Sequence, residues 1–465
     1  MNKHYLILSF AALLFAACSN DSDPASQSEE LSKKTTEVAN VPITFGAYVD
    51  RATTRAGITG DITATTLQTG KFGVFAYYTD NNNYDGLTTP NYMYNQEVSW
   101  DATNNAWTYA PLKYWPNEYG SNAVSEDIDR VSFFAYAPYV AVTPSSGKAT
   151  ANADWGITGL SRNSATGDPF VKYVVSFDKT KAVDLVWGVN DGTTTWNIIQ
   201  TNAAQTFTAG LPWIDVQRPA DATGNQLLKF TFKHALSRLN VQVDAIVDSN
   251  KLGTERDSKT RIFVRSITFE GFAMKGALSL NNTTANAPVW LNYDGCNDLD
   301  SGDEVTIYDG RKDGKEGTSV AGSEKTTGLN PVLIQDTDWG VTAMQAGVTA
   351  TPVNLFSNTT AATDGFYVIP TTDDVKVSIV YDVETEDANL NSYLSDGKTH
   401  GSSIENKITQ NITFGTGTTA SSKLEAGKSY TIGLHLGMNS VKFDADVTAW
   451  PTTTEDGGAD LPANN

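Results

Sequence analysis

Cysteine, histidine and charge are all scarce in this chain, and each scarcity removes a class of function. Cys18 and Cys296 are the two cysteines among 465 residues, too few for a disulfide framework. Cys296 stands in an acidic, Gly-rich loop, poor surroundings for a nucleophilic thiolate. The four histidines, His4, His234, His400 and His435, are scattered, with no H-E-x-x-H pair and no adjoining G-x-S-x-G elbow. Charged residues make up 18% of the chain and the net charge is −20, which opposes nucleic acid and anionic lipid. No amphipathic helix longer than about two turns stands out. Carboxylate pairs of the glycosidase kind meet only in the fold, so spacing does not decide them. The expectation is a protein that is not an enzyme, needs no cofactor and binds no nucleic acid.

What fills the chain instead is Thr, Asn, Gly and Ser, with 19 Tyr, 19 Phe and 10 Trp, a composition suited to sheets with polar loops. At 40% hydrophobic residues a core can form, and the length suits about two or three domains. The N-terminus, MNKHYLILSFAALLFAAC, has a basic start at Lys3 and an apolar run over 5–17, too short to span a bilayer. Residues 1–17 read as a signal peptide, and LFAAC resembles a lipobox, with Phe15 where Leu is usual. Cys18 would then carry the lipid; the alternative is a plain secretory signal with an incidental cysteine. Residues 18–40 have almost nothing to bury and read as a flexible tether. Asp21 and Asp23 at its start look like the export signal of some surface lipoproteins of Bacteroidetes.

From Val41 onward, period-two alternation dominates. VPITFGAYV places Val41, Ile43, Phe45, Ala47 and Val49 on one face. Strand-like runs continue to about residue 190, followed by a polar, Thr-rich stretch to about 226. A second series opens at LLKFTFKHALSRLNVQVDA and runs to VKFDADVTAW. An all-β protein of two sandwiches in tandem follows, over 41–226 and 227–451, with a polar tail at 452–465. HALSRLNV fits a strand as readily as one short helical turn. The stretch 294–328 is a long acidic insert whose Asp294, Asp298, Asp300 and Asp303 form a weak calcium candidate without EF-hand spacing. Trp100, Trp107, Tyr114 and Trp115 cluster in the first half, as core and edge packing or as a surface for stacking sugars.

Several segments, in this order, resemble one family: the lipobox Cys18, the Arg55 linker after the first strand, FGVFAYYT, YNQEVSW, APLKYWP, VSFFAYAPY, FKHALSRLNVQV and VKFDADVTAW. The chain is similar to the fimbrillins, the type V pilus subunits of Bacteroidales; the acidic insert has no counterpart there. The resemblance implies two transthyretin-like sandwiches, a lipoprotein precursor at the outer membrane that touches the membrane only through its lipid, and polymerisation into a surface fimbrium. It implies as partners an arginine-specific surface protease, other pilus subunits that exchange strands with this one, and an adhesion ligand on host or bacterium. The protease would cut in VDRATTRAG after Arg55, with Arg51 as fallback, so that 41–55 forms a removable strand and linker.

The two ends of the folded region share a pattern. Phe45, Ala47 and Val49 recur as Phe443, Ala445 and Val447, and Val441 stands for Ile43. A groove shaped for the first set accepts the second in the same register, because alternate side chains fall on one face. Residues 440–450 are therefore either a donor strand for a neighbouring subunit or the last strand of their own sandwich. The first option suits a stalk subunit, slightly favoured, and the second a tip subunit. The alternative from another class is a monomeric surface lipoprotein that binds glycans through exposed aromatics.

Overall fold

A computed structural model describes residues 41–49, 62–116, 129–152, 154–176, 181–198, 203–220, 226–245, 260–296, 299, 303–309, 353–354, 366–370, 373–394, 401–414, 421–436 and 441–449. The signal, the tether, Cys18, Arg51, Arg55, His400, Asp298, Asp300 and most of the acidic insert lie outside the described residues, as do the side chains of Asp303, Val441 and Phe443. The described chain is nearly all β, as expected, with two seven-residue helices at Ala64–Gly70 and Ala388–Leu394.

Among the described residues the first sheet has eight strands. In spatial order they are Phe45–Val49, Leu228–His234, Val186–Val189, Arg130–Ala137, Phe72–Asp80, Met93–Asp101 and Ala106–Thr108, while Trp213–Gln217 adds to Arg130–Ala137. Its central strands are buried on both faces, which is why they read as continuous apolar runs rather than alternating ones. Phe72, Val74, Phe133 and Ala135 line one face, whose core also takes Val41, Ile43, Phe45, Phe230 and Phe232. Phe75, Tyr77, Phe134 and Tyr136 line the other, in one apolar cluster with Ile157, Val171 and Tyr173 of a six-stranded sheet. That second sheet joins the two halves of the sequence, because Lys275–Ser279 pairs antiparallel with Phe170–Val174.

The C-terminal half contributes two further sheets. Ser237–Ala245 runs parallel to Lys428–Leu436, which pairs antiparallel with Val441–Ala449 at the sheet edge. A four-stranded sheet runs in the order Asp303–Asp309, Thr260–Phe272, Lys376–Glu386 and Gly401–Asn411. Leu239, Val241, Ile432 and Leu434 of the first and Ile267, Phe269, Val377 and Ile379 of the second belong to the same buried cluster, as a sandwich requires.

The strand Leu228–His234 belongs to the first sheet, where it pairs with Phe45–Val49 and Val186–Val189, and it does not open the second sandwich at 227. The chain enters the second half two residues later. Ala235 and Leu236 between the two strands are fully buried, and three hydrogen bonds hold them: Ala235 N to Leu185 O, Trp290 Nε1 to Ala235 O, and Gly427 N to Leu236 O. HALSRLNV is accordingly a crossing between sheets, with no helical turn. The stretch read as polar, 190–226, also holds core residues: Trp196 and Trp213 are buried and stack with centroids 6.0 Å apart.

Candidate functional site

The first strand enters the structure as an edge element with partners on two sides. Phe45–Val49 runs parallel to the neighbouring strand, Phe45 opposite Leu228 and Val49 opposite Phe232, and Leu228 N donates to Thr44 O at 3.0 Å. Just before it the backbone turns to another partner: Ile43 N donates to Lys113 O at 2.9 Å, and Trp115 N to Val41 O at 2.8 Å. Residues 41–43 and 113–115 thus close the side of the groove that the main ladder leaves open.

Burial follows the alternation read from the sequence. Ile43 is fully buried, Phe45 is 3% exposed and Val41 7%, while Ala47 and Val49 are half-buried at the rim. The Phe45 ring lies in an aromatic box, with centroids at 5.3 Å from Tyr109, 6.0 Å from Phe230, 6.1 Å from Phe133 and 6.4 Å from Phe72. Such tilted and edge-on pairs add to the gain from burial alone. Gly188 makes room for one wall, because a Cβ there would stand 2.8 Å from the Phe230 ring and 3.0 Å from Ala135 Cβ.

Tyr109 closes the box from the far edge. Its hydroxyl donates to Ile43 O at 2.8 Å and accepts from Lys113 N at 3.3 Å. Burial pushes the phenol up to about 12, so it remains a proton donor at neutral pH. This residue carried no signal in the sequence beyond being one aromatic among many.

Where the described chain resumes at Ile62, it is pinned independently of the strand. Ile62 N donates to Asp184 Oδ2 at 3.0 Å, and the same oxygen lies 2.7 Å from His234 Nδ1. Asp184 and His234 are both buried, so His234 is a hydrogen-bonded residue of its strand. The short helix that follows is capped by Thr63, whose hydroxyl accepts from Thr66 N while Thr63 N donates to Thr66 Oγ1.

At the other end of the chain, Val441–Ala449 pairs within its own subunit, Val441 opposite Leu436 and Val447 opposite Tyr430. Ala445 and Val447 are half-buried against the core. The strand is laid on an edge, with a single neighbour among the described residues.

The remaining candidates do not converge. Asp294 is exposed and its carboxylate lies 3.8 Å from Lys172 Nζ, so the part of the calcium candidate that can be described faces a lysine. Among the described residues no three acidic, His or Cys groups are placed to hold a metal. Trp100 and Trp107 form a cross-strand pair, Trp115 is buried against Phe133 and Trp196, and Tyr114 is 40% exposed. The four aromatics therefore form no open platform for stacking a sugar.

Fold and site together define an all-β protein built of sandwich-like layers, whose first strand fills an apolar groove at a sheet edge. No family model matches the chain. The fimbrium subunit Fim1C of Phocaeicola vulgatus is 27% identical over 274 residues, 58% of this chain and 57% of that relative. The match thus spans little more than half the length of the curated relative. A crystal structure of a fimbrial protein from Bacteroides vulgatus shares the fold, with a TM-score of 0.51 at 21% identity, over 88% of this chain and 99% of that one. The chain is a sequence relative of a Bacteroidales fimbrium subunit, which bears out its resemblance to the fimbrillins. These relatives are named as fimbrial proteins and not as enzymes.

Proposed function

We propose that this chain is a structural subunit of a cell-surface pilus that serves adhesion, made as a lipoprotein with Cys18 as its lipidated residue. In this reading a surface protease cuts after Arg55, or failing that Arg51, and the first strand leaves. A strand from another subunit then fills the vacated groove, and repetition builds the fibre. The observation that carries the reading is the edge position of Phe45–Val49 together with the burial of Val41, Ile43 and Phe45. Each buried apolar side chain contributes roughly 1.5–3 kcal/mol, so an empty groove attracts any strand with matching pegs.

Proteolysis has a physical role in this scheme. The resident strand is tethered, and a short tether gives it an effective concentration of about a millimolar, far above that of a free subunit. A rival of similar shape loses while the tether is intact. Cutting removes that advantage irreversibly. The matching pegs of Val441, Phe443, Ala445 and Val447 make the C-terminal strand the proposed donor, and its edge position, with one neighbour among the described residues, favours a stalk role over a tip role.

The test is direct. The soluble chain beginning after Cys18 is treated with an arginine-specific protease, then followed by N-terminal sequencing and size-exclusion chromatography. The expected product begins at Ala56 and runs as oligomers; Arg51 as the site gives Ala52 instead. A product that stays monomeric at high concentration overturns the proposal. Deleting 441–465 should then abolish growth if the subunit is a stalk component and leave the groove able to accept donors from intact chains.

A further inference from the structure

The four-stranded sheet ends in the strand Gly401–Asn411, which carries a ladder on one side among the described residues. It pairs antiparallel with Lys376–Glu386 along its whole length, from Gly401 opposite Glu386 to Asn411 opposite Lys376. The outer side of such a strand presents alternate N–H and C=O groups to solvent, a template for another strand.

The residues along this edge are chemically self-complementary. GSSIENKITQN reads nearly alike in both directions about Asn406. When a second copy is laid antiparallel with Asn406 on the twofold axis, Glu405 faces Lys407, Ile404 faces Ile408, and Ser403 faces Thr409. Glu405 and Lys407 are both exposed and share one face. Opposite charges directly across two strands attract, and the twofold arrangement makes that pair twice.

The other face explains an otherwise odd side chain. Ile404, Asn406 and Ile408 stand opposite Val383, Tyr381 and Ile379, three buried residues, and so lie on the core side of the sheet. Ile408 packs half-buried against that core. Ile404, on the same side, is 68% exposed. Twofold pairing sets it beside the second copy's Ile408 and extends the apolar surface across the junction.

We infer that Gly401–Asn411 is a self-pairing edge through which two copies of this chain join antiparallel, with Asn406 on the axis. The occupant is a second copy because the charge order matches its own reverse. One strand-to-strand contact covers less than the ~1,200 Å² typical of a stable interface, so free subunits associate weakly. Copies held in an array gain from repeated contacts, each raising the effective concentration for the next. The edge exists in the uncut chain, so the inference goes beyond the pilus reading and does not rest on it.

The test uses the uncut soluble chain, followed by sedimentation equilibrium up to about millimolar concentration. The wild type should show a weak monomer–dimer equilibrium. Lys407→Glu sets Glu against Glu and Glu405→Lys sets Lys against Lys, and each should weaken the dimer about tenfold or more. An equimolar mixture of the two variants should recover it, because every facing pair is again opposite in charge; recovery also shows that both variants are folded. A wild type that stays monomeric, reversals without effect, or a mixture no tighter than either variant alone overturns the inference. The register has its own check. In a chain starting after Cys18 and carrying Cys296→Ser, Asn406→Cys should oxidise to a symmetric disulfide dimer, since facing Cα atoms about 4.5–5.5 Å apart suit the bond. Absence of that crosslink overturns the register. Loss of protease-triggered assembly would leave all of these results standing.

Discussion

The first and last strands carry the same F-x-A-x-V pattern, and each lies at the edge of a sheet, yet they are held differently. Phe45–Val49 is parallel to its neighbour, and the residues just before it are gripped from the other side by 113–115 and Tyr109. Val441–Ala449 is antiparallel to one neighbour among the described residues and has no second backbone partner there, although Ala445 and Val447 are half-buried just as Ala47 and Val49 are. The first is inserted into a box and the second is laid along a border. A strand that fills a box leaves an apolar slot behind, while a strand on a border leaves an edge. The proposed need for a covalent cut belongs to the first alone.

The contrast breaks most completely at the linker. Replacing Arg51 and Arg55 together by Ala should abolish protease-triggered oligomers, read by size exclusion, while the thermal stability of the uncut chain stays unchanged. Substitutions in a polar linker with no strand pattern of its own usually have little effect on folding. If assembly continues in that variant, the first strand is not the gate. Next in size is the loss of the central peg. Phe45→Ala empties the aromatic box and should lower the unfolding free energy of the uncut chain by about 3–5 kcal/mol, measured in denaturant. Val447→Ala in the last strand should cost only about 1 kcal/mol, because that side chain is half-exposed. Equal losses at the two positions would erase the distinction between inserted and laid-on strands.

Much of this arrangement was legible in the residues. The alternation of Val41, Ile43 and Phe45 marks them as one buried face, and the structure buries all three. The separate strands of the first sheet were visible from Phe72 to Ala137. What local pattern could not reveal was partnership. Leu228 pairs with Phe45 across 183 positions of sequence, and nothing within LLKFTFKH says which sheet it joins. Trp196 was hidden because its neighbours Thr195 and Asn197 are polar, and Trp213 because the apolar run around it is short; the fold stacks the two and packs Phe207 against both. The Asp184–His234 pair escaped because an isolated Asp and an isolated His gain meaning only when the fold brings them within 2.7 Å.

Gly188 sharpens the comparison by separating the groove from the strand that fills it. Gly188→Ala should push Phe230 out of place and cost about 1–3 kcal/mol by overpacking. Because Phe230 belongs to the wall, the loss should be similar in cut and uncut protein, whereas Phe45→Ala can affect only the uncut form. Denaturant curves of wild type and both variants, each before and after cutting, read out the difference. A penalty confined to the uncut form would place Phe230 under the control of the resident strand.

The smallest effect concerns the latch. Tyr109→Phe keeps the ring beside Phe45 but removes the hydrogen bond to Ile43 O, a loss of about 0.5–1.5 kcal/mol. Its pH dependence has a definite sign. The folded phenol titrates near 12 and an unfolded one near 10, so the folded state binds the proton more tightly. Its contribution is therefore complete below pH 10 and disappears as pH rises through 12, since the unfolded chain gives up its proton first. In Tyr109→Phe that part of the alkaline loss is absent. The stability difference between the two proteins should be constant from pH 7 to about 9 and shrink across the window from 10 to 12. After cutting, with Ile43 gone, the same substitution should change stability far less. A difference that persists unaltered in the cut protein would mean that Tyr109 supports the groove wall and not the strand.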